Sequence, residues 1–201
     1  VLLVPLYVIQ TSVSKFVAGF KAKKDSKSIS NLFYLAFKRL FIVAVVVLIL
    51  SFFASFFLAD YLKIPASILW VVSIAVPFIL LVPIERGLLQ GIQNFKGLGA
   101  NLITETVSRF IVGLALVFLG LGVFGAVFGI VASFIVAFIF GFLVLRKYFR
   151  RYNKKINTKL VYKYSFPVFI VLLALTLFYS LDVVIVKHYF DDVSAGYYSA
   201  V

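Results

Sequence analysis

Phe110–Leu145 reads FIVGLALVFLGLGVFGAVFGIVASFIVAFIFGFLVL, thirty-six residues without one charge. As a single helix at 1.5 Å per residue it would run about 54 Å, against a hydrocarbon core of about 30 Å. It must therefore turn, and Leu119-Gly120-Leu121-Gly122 offers the place. The stretch predicts a tight helical hairpin, Gly97–Leu119 then Val123–Leu145.

The rest of the chain obeys the same grammar. Val1–Ser14 is uncharged and continues through Lys15 to Phe20 as a first span. Lys21–Ser30 (KAKKDSKSIS) reads as a polar loop, with Ser30 or Asn31 as the N-cap of the next helix. Leu40–Ala59 is uncharged and long enough to cross, and Leu32–Arg39 extends that helix into the interface. Asp60–Pro65 is a short turn. Ile64–Ile84 is the next apolar run, with Trp70 as an interface anchor and Pro77 and Pro83 predicting a kinked or broken helix. Glu85–Lys96 (ERGLLQGIQNFK) reads as an amphipathic extension past the membrane surface. Tyr164–Lys187, with Pro167 near its start, is the last span. The expectation is an all-α, polytopic transmembrane bundle of six spans.

Charge sets its orientation. Sixteen of the twenty Lys and Arg residues fall in 21–39, 86–96 and 146–163, so these three basic segments are expected in the cytoplasm of a multi-pass plasma-membrane protein. Composition agrees: 64% hydrophobic residues, 13% charged and a mean hydropathy of +1.14 leave lipid as the solvent. The net charge of +13 is accounted for by basic loops flanking spans and meeting lipid headgroups, so nucleic acid is not expected as a partner. The chain has no Cys, which removes disulfides, thiolate chemistry and Cys-based metal sites. It has no Met either, so the sequence is expected to be a piece of a longer protein.

No HExxH, GxSxG, Walker A or Cys/His cluster occurs, so no enzyme, metal site or cofactor is expected. The lone His188 reads as an interfacial side chain. Four ionisable residues stand inside apolar runs, where charge is expensive and tends to serve function. Glu105 and Arg109 are spaced i,i+4 and share a helix face, either as a neutralised structural pair or as a pair that exchanges partners. Lys15 lies about 9 Å of helical rise before Lys21, within snorkelling reach of the surface or free to meet an anion in a cavity. Asp182 is the acid of the last span, a cation or proton site or a partner for Lys187. Gly87–Gly91 and Gly125–Gly129 are GxxxG spacings that let helices approach closely.

The segments Arg86–Lys96 (RGLLQGIQNFK), Asn101–Arg109 (NLITETVSR) and Leu119–Ala126 (LGLGVFGA) resemble the polysaccharide transporter family of oligosaccharide-lipid flippases. That family lies within the multidrug/oligosaccharidyl-lipid/polysaccharide exporter superfamily. Ser12–Ala22 is similar to its second helix and basic loop, and Asp182–Phe190 with Ala195–Ala200 to its seventh helix and turn. The resemblance implies helices two to seven of about twelve to fourteen. On that basis 1–163 would be most of one six-helix lobe of an alternating-access transporter, and 164–201 the first helix of the next. It implies translocation of a polyprenyl-diphosphate-linked oligosaccharide, with membrane lipids and a coupling ion, H+ or Na+, as further partners. Lys15 and Arg109 would recognise the anionic substrate, Glu105 would hold or release Arg109, and Asp182 would couple a cation. A multidrug exporter of the same superfamily would favour acids over cations in its cavity. A membrane glycosyltransferase or ligase on the same lipid carrier would need a large loop.

Overall fold

A computed structural model describes residues 4–62, 65–150, 152 and 158–189; the side chains of 60, 62 and 179–189 lie outside that description. The described residues fold into six α-helices: α1 (Val4–Ala22), α2 (Ser26–Leu62), α3 (Ala66–Gly91), α4 (Phe95–Leu116), α5 (Gly122–Leu145) and α6 (Thr158–Tyr189). Four helical stretches are long and apolar enough to cross a membrane: Ser26–Ala59, Ala66–Gly91, Phe95–Tyr148 and Thr158–Phe178. α1 is not one of the four. Ile9–Ile156 forms one compact unit; α6 and the first turn of α1 belong to another.

The stretch Phe95–Tyr148 doubles back where the sequence requires it. Val117–Leu121 forms a wide helical turn in which Gly120 takes φ 88°, and Gly122 comes next but one with φ 50°. Such left-handed backbone costs a side-chain-bearing residue about 1–2 kcal/mol and glycine almost nothing. After the turn α5 runs antiparallel to α4: Gly125 meets Leu116, Gly129 meets Gly113, Ser133 meets Arg109 and the Ala137 carbonyl meets Asn101. The two helices close to within backbone contact at Gly113–Gly129, as small residues permit in lipid.

The loop expected over Lys21–Ser30 shrinks to three residues, because the helix cap is Asp25 rather than Ser30 or Asn31. Its carboxylate accepts from the Ser28 N–H (3.1 Å) and the Ser28 hydroxyl (2.7 Å), so α2 starts at Ser26. The 86–96 segment changes more. α3 runs unbroken through Pro77 and Pro83 to Gly91, and Glu85, Gly87, Leu88 and Leu89 are buried rather than spread over a surface. Only 92–94 separate α3 from α4.

These two turns are one motif used twice. At the first, Asp25 N–H donates to Phe20 O (2.9 Å) and Lys24 N–H to Lys21 O (2.9 Å), with Lys24 at φ 54°. At the second, Asn94 N–H donates to Leu89 O (2.8 Å) and Gln93 N–H to Gln90 O (2.9 Å), with Gln93 at φ 57°. Paired bonds of this kind satisfy the orphan carbonyls of a helix end. Asp25 and Asn94 then each cap the next helix, Asn94 accepting from the Gly97 N–H at 3.0 Å. Lys21 Nζ links the turns by donating to Ile92 O (2.6 Å) and Gln93 Oε1 (2.9 Å).

α3 is the central helix. Gly87 and Gly91 seat it against Gln10, Val13 and Val17 of α1, and it packs on α2 and α5 along its length. Leu81, Ile84, Leu88 and Leu89 are buried in that seam. Near its other end Trp70 Nε1 donates to Ser55 Oγ (3.0 Å), and the Trp70 ring stacks on Phe52 of α2 at 5.7 Å. α2, by contrast, exposes Phe41, Ile42, Val46, Ile49, Leu50 and Phe53, the surface of a helix that lipid covers.

Candidate functional site: a charged cluster inside the helical bundle

Two helices bring charge together within the apolar bundle, and a third supports it. Glu105 of α4 places one carboxylate oxygen on the guanidinium of Arg86 from α3 and the other on that of Arg109, one turn along α4. Arg86 Nε also donates to Asn101 Oδ1 at 2.8 Å, and Asn101 Nδ2 donates to the Ala137 carbonyl of α5 at 2.7 Å. Arg109 Nε reaches Ser133 Oγ at 3.4 Å, and its guanidinium stands 5.6 Å from the Phe134 ring centroid. α4 thus supplies Asn101, Glu105 and Arg109 at steps of four residues, which stacks them on one face.

The members differ in exposure. The side chains of Arg86 and Glu105 are 15% and 11% accessible, whereas that of Arg109 is 43% accessible. Arg86 is therefore a fixed counter-charge, and Arg109 presents an open flank. One carboxylate between two guanidiniums leaves an excess of one positive charge in the cluster. Such an excess attracts anions, and in a medium of low dielectric it does so far more strongly than in water.

α5 contributes a row of small residues at every fourth position: Gly125, Gly129, Ser133, Ala137 and Gly141, all buried. With 3.6 residues per turn, each step of four rotates the row by about 40°. Its first members consequently face α4, and Gly141 has swung round to α3. There it meets Glu85, whose carboxyl group would collide with any side chain at position 141. Glu85 is fully buried, and neither carboxyl oxygen has a hydrogen-bond partner among the described residues.

Of the residues singled out from sequence, Glu105 and Arg109 are brought together as their spacing predicts. Lys15 lies exposed on α1, its ammonium 6.0 Å from the Phe16 ring centroid, while the cluster is built from α3, α4 and α5. Asp182 falls in α6, with its side chain outside the described residues, as are those of Lys187 and His188. Arg86 corrects the reading of Glu85–Lys96 as an extension past the membrane surface: it is a bundle residue, not a surface cation. Its apolar flanks, Leu81-Val82-Pro83-Ile84 before it and Leu88-Leu89 after it, are the signal that helix and burial continue past the first charge.

Three charged side chains thus meet inside an apolar helical bundle, where charge is expensive. Residues 7–201 match the family model described as polysaccharide biosynthesis protein. The chain belongs to this family. Neither a curated protein nor a solved structure matches the chain. The family match reaches all six helices and takes in every residue of the cluster. This member of the polysaccharide biosynthesis family is thus a helical membrane protein, and its buried charge lies within the matched residues.

Proposed function

We propose that this chain is part of a flippase that carries a polyprenyl-diphosphate-linked oligosaccharide across the plasma membrane by alternating access. It would contribute six spans, most of one lobe and the first helix of the next, with 21–39, 86–96 and 146–163 on the cytoplasmic side. The observation that carries this reading is the excess positive charge of the Arg86–Glu105–Arg109 cluster, with Arg109 open on one flank. A diphosphate cannot enter hydrocarbon without a large desolvation penalty. A guanidinium offers it two parallel charge-assisted hydrogen bonds in place of water, while the polyprenyl tail stays in the bilayer.

The cluster suits a reversible carrier. When diphosphate takes the outer edge of Arg109, Glu105 keeps its bond to Arg86 and is never left as an isolated buried charge. Release restores the Glu105–Arg109 pair. Lys15 adds a second cation for the anion, and Asp182 serves a coupling cation, H+ or Na+. The reaction is binding and translocation, with no bond made or broken.

Translocation in vesicles tests it. Full-length protein is reconstituted with a fluorescent polyprenyl-diphosphate sugar, and its appearance in the opposite leaflet is followed for wild type and Arg109→Ala. Wild type should move the lipid, and Arg109→Ala should lose roughly tenfold or more in rate, the worth of one charge-assisted contact. Equal rates would remove Arg109 from the anion site, and folded wild type that moves nothing across several sugars would sink the flippase reading.

A further inference from the structure

We infer that Glu85 is a proton-binding site whose occupancy sets the affinity of the neighbouring cluster for an anion. The inference rests on the proposed anion-binding role of the Arg86–Glu105–Arg109 cluster and adds its regulation.

The carboxyl group of Glu85 is fully buried between α3 and α5, without a hydrogen-bond partner among the described residues. An ionised carboxylate in such a place carries a penalty of several kcal/mol unless something compensates it. A metal ion needs several ligands, and no group of three or more His, Cys, Asp or Glu side chains that could hold one occurs among the described residues. A proton needs a single oxygen. Closed packing against Gly141 therefore suits the neutral acid, and loss of the proton demands that water or a counter-charge enter the α3–α5 seam.

Among the described residues Arg86 is a cation whose field reaches it, but no side chain bonds to its carboxyl oxygens. On α1, Lys15 and Lys21 are exposed; on α2, Lys27, Lys38 and Arg39 are exposed and Tyr34 lies against Phe149; on α4, Lys96 is exposed. α5 has no ionisable side chain between Gly122 and Leu145. Glu105 and Arg109 are engaged with each other, and Arg86, the next residue along α3, turns its guanidinium to Glu105 and Asn101.

Two links join the proton to the cluster. The first is charge. With Glu85 neutral the four residues Glu85, Arg86, Glu105 and Arg109 sum to a single positive charge, and with Glu85 ionised they sum to zero, so proton and anion favour each other's binding. The second is mechanical. Gly141, Ala137 and Ser133 are successive members of one row on α5, and the latter two hold Asn101 and Arg109. Opening the seam at Gly141 shifts the helix that positions the anion-binding guanidinium. Linkage then requires reciprocity: anion binding draws a proton in by the same factor that the proton tightens the anion.

The test uses full-length protein in lipid nanodiscs, with wild type, Glu85→Gln and Gly141→Ala. Infrared spectroscopy reads the C=O stretch of a protonated carboxyl without any substrate. Wild type should show a band that bleaches reversibly with bulk pH and is missing from Glu85→Gln. In Gly141→Ala, whose new methyl presses on the carboxyl, the band should bleach at a displaced pH. A polyprenyl-diphosphate sugar is then added in weak buffer with a pH indicator. Wild type should take up a proton on binding and lose affinity about tenfold as the band bleaches, a coupling of ordinary size. Glu85→Gln should bind without uptake and independently of pH. Identical bands in wild type and Glu85→Gln, or equal pH dependence of binding in both, would overturn the inference. If wild type binds no diphosphate lipid, the flippase reading fails, and the infrared arm still decides: a band that tracks bulk pH keeps the proton site, and a fixed band removes it.

Discussion

Glu105 holds two guanidiniums at once, and its replacement has the sharpest consequence at the scale of a single residue. Glu105→Gln leaves Arg86 inside the bundle without its ion-pair partner. Breaking a buried pair from one side costs about 3–5 kcal/mol, because the surviving charge stays desolvated. Detergent-driven unfolding should show a loss of that size. Arg109→Ala should cost less, since Glu105 keeps Arg86 and the Arg109 side chain is 43% accessible. The two losses together would separate what stabilises the bundle from what faces a ligand. The Glu105–Arg109 pair is legible in the sequence, because helical spacing is local. Arg86 and Glu85 are harder to read there, because the first charges after an apolar run look like a membrane boundary and only Leu88 and Leu89 beyond them signal otherwise. The packing of α1, α2 and α5 around α3 shows that burial continues past them.

Among the elements, the α4–α5 hairpin has a seam whose tolerance is asymmetric. A methyl group at Gly129 would stand 2.5 Å from Gly113 Cα and 2.6 Å from Gly113 N, backbone atoms that cannot move aside. One at Gly113 would stand 3.8 Å from Gly129 Cα, an ordinary contact. Gly129→Ala should therefore destabilise by about 1–3 kcal/mol, the range for overpacking, and Gly113→Ala should be near neutral in the same unfolding assay. The hairpin itself is readable from a length that no bilayer accommodates. The row of small residues from 125 to 141 is readable only as its first GxxxG pair, since a row at steps of four winds around the helix and serves two neighbours. The start of α2 is not readable, because a buried Ser-Asn segment looks like a loop until Asp25 is seen to cap it.

Across the whole molecule, the two matching turns lie on one side, joined through Lys21, and the basic residues Lys23, Lys24, Lys27 and Lys96 stand in or beside them. Residues 1–201 hold no Cys, so single replacements among them can be labelled with no background from this part of the protein. Cysteines at Lys23, Lys96 and Lys147 should react with an impermeant reagent from the cytoplasmic face only, and one at Leu119 from the opposite face only. Labelling of the Lys23 and Leu119 positions from the same face would refute the orientation. The number of helices and their order are legible because apolar length is a property of each segment alone. Which helix stands at the centre is not, since that depends on contacts between distant segments.

The cluster also bears on how the protein is made. α4 brings Glu105 and Arg109 into the membrane, each costing about 2.5–3.5 kcal/mol at the centre of an isolated helix. Arg86 arrives earlier on α3, whereas Ser133 and Ala137 arrive later on α5. A helix emerging from the ribosome into lipid would thus find one of its counter-charges waiting and the other supports still unsynthesised. Stable residence of α4 depends on a partner already in place, so α3, α4 and α5 should leave the insertion machinery as a group rather than one at a time.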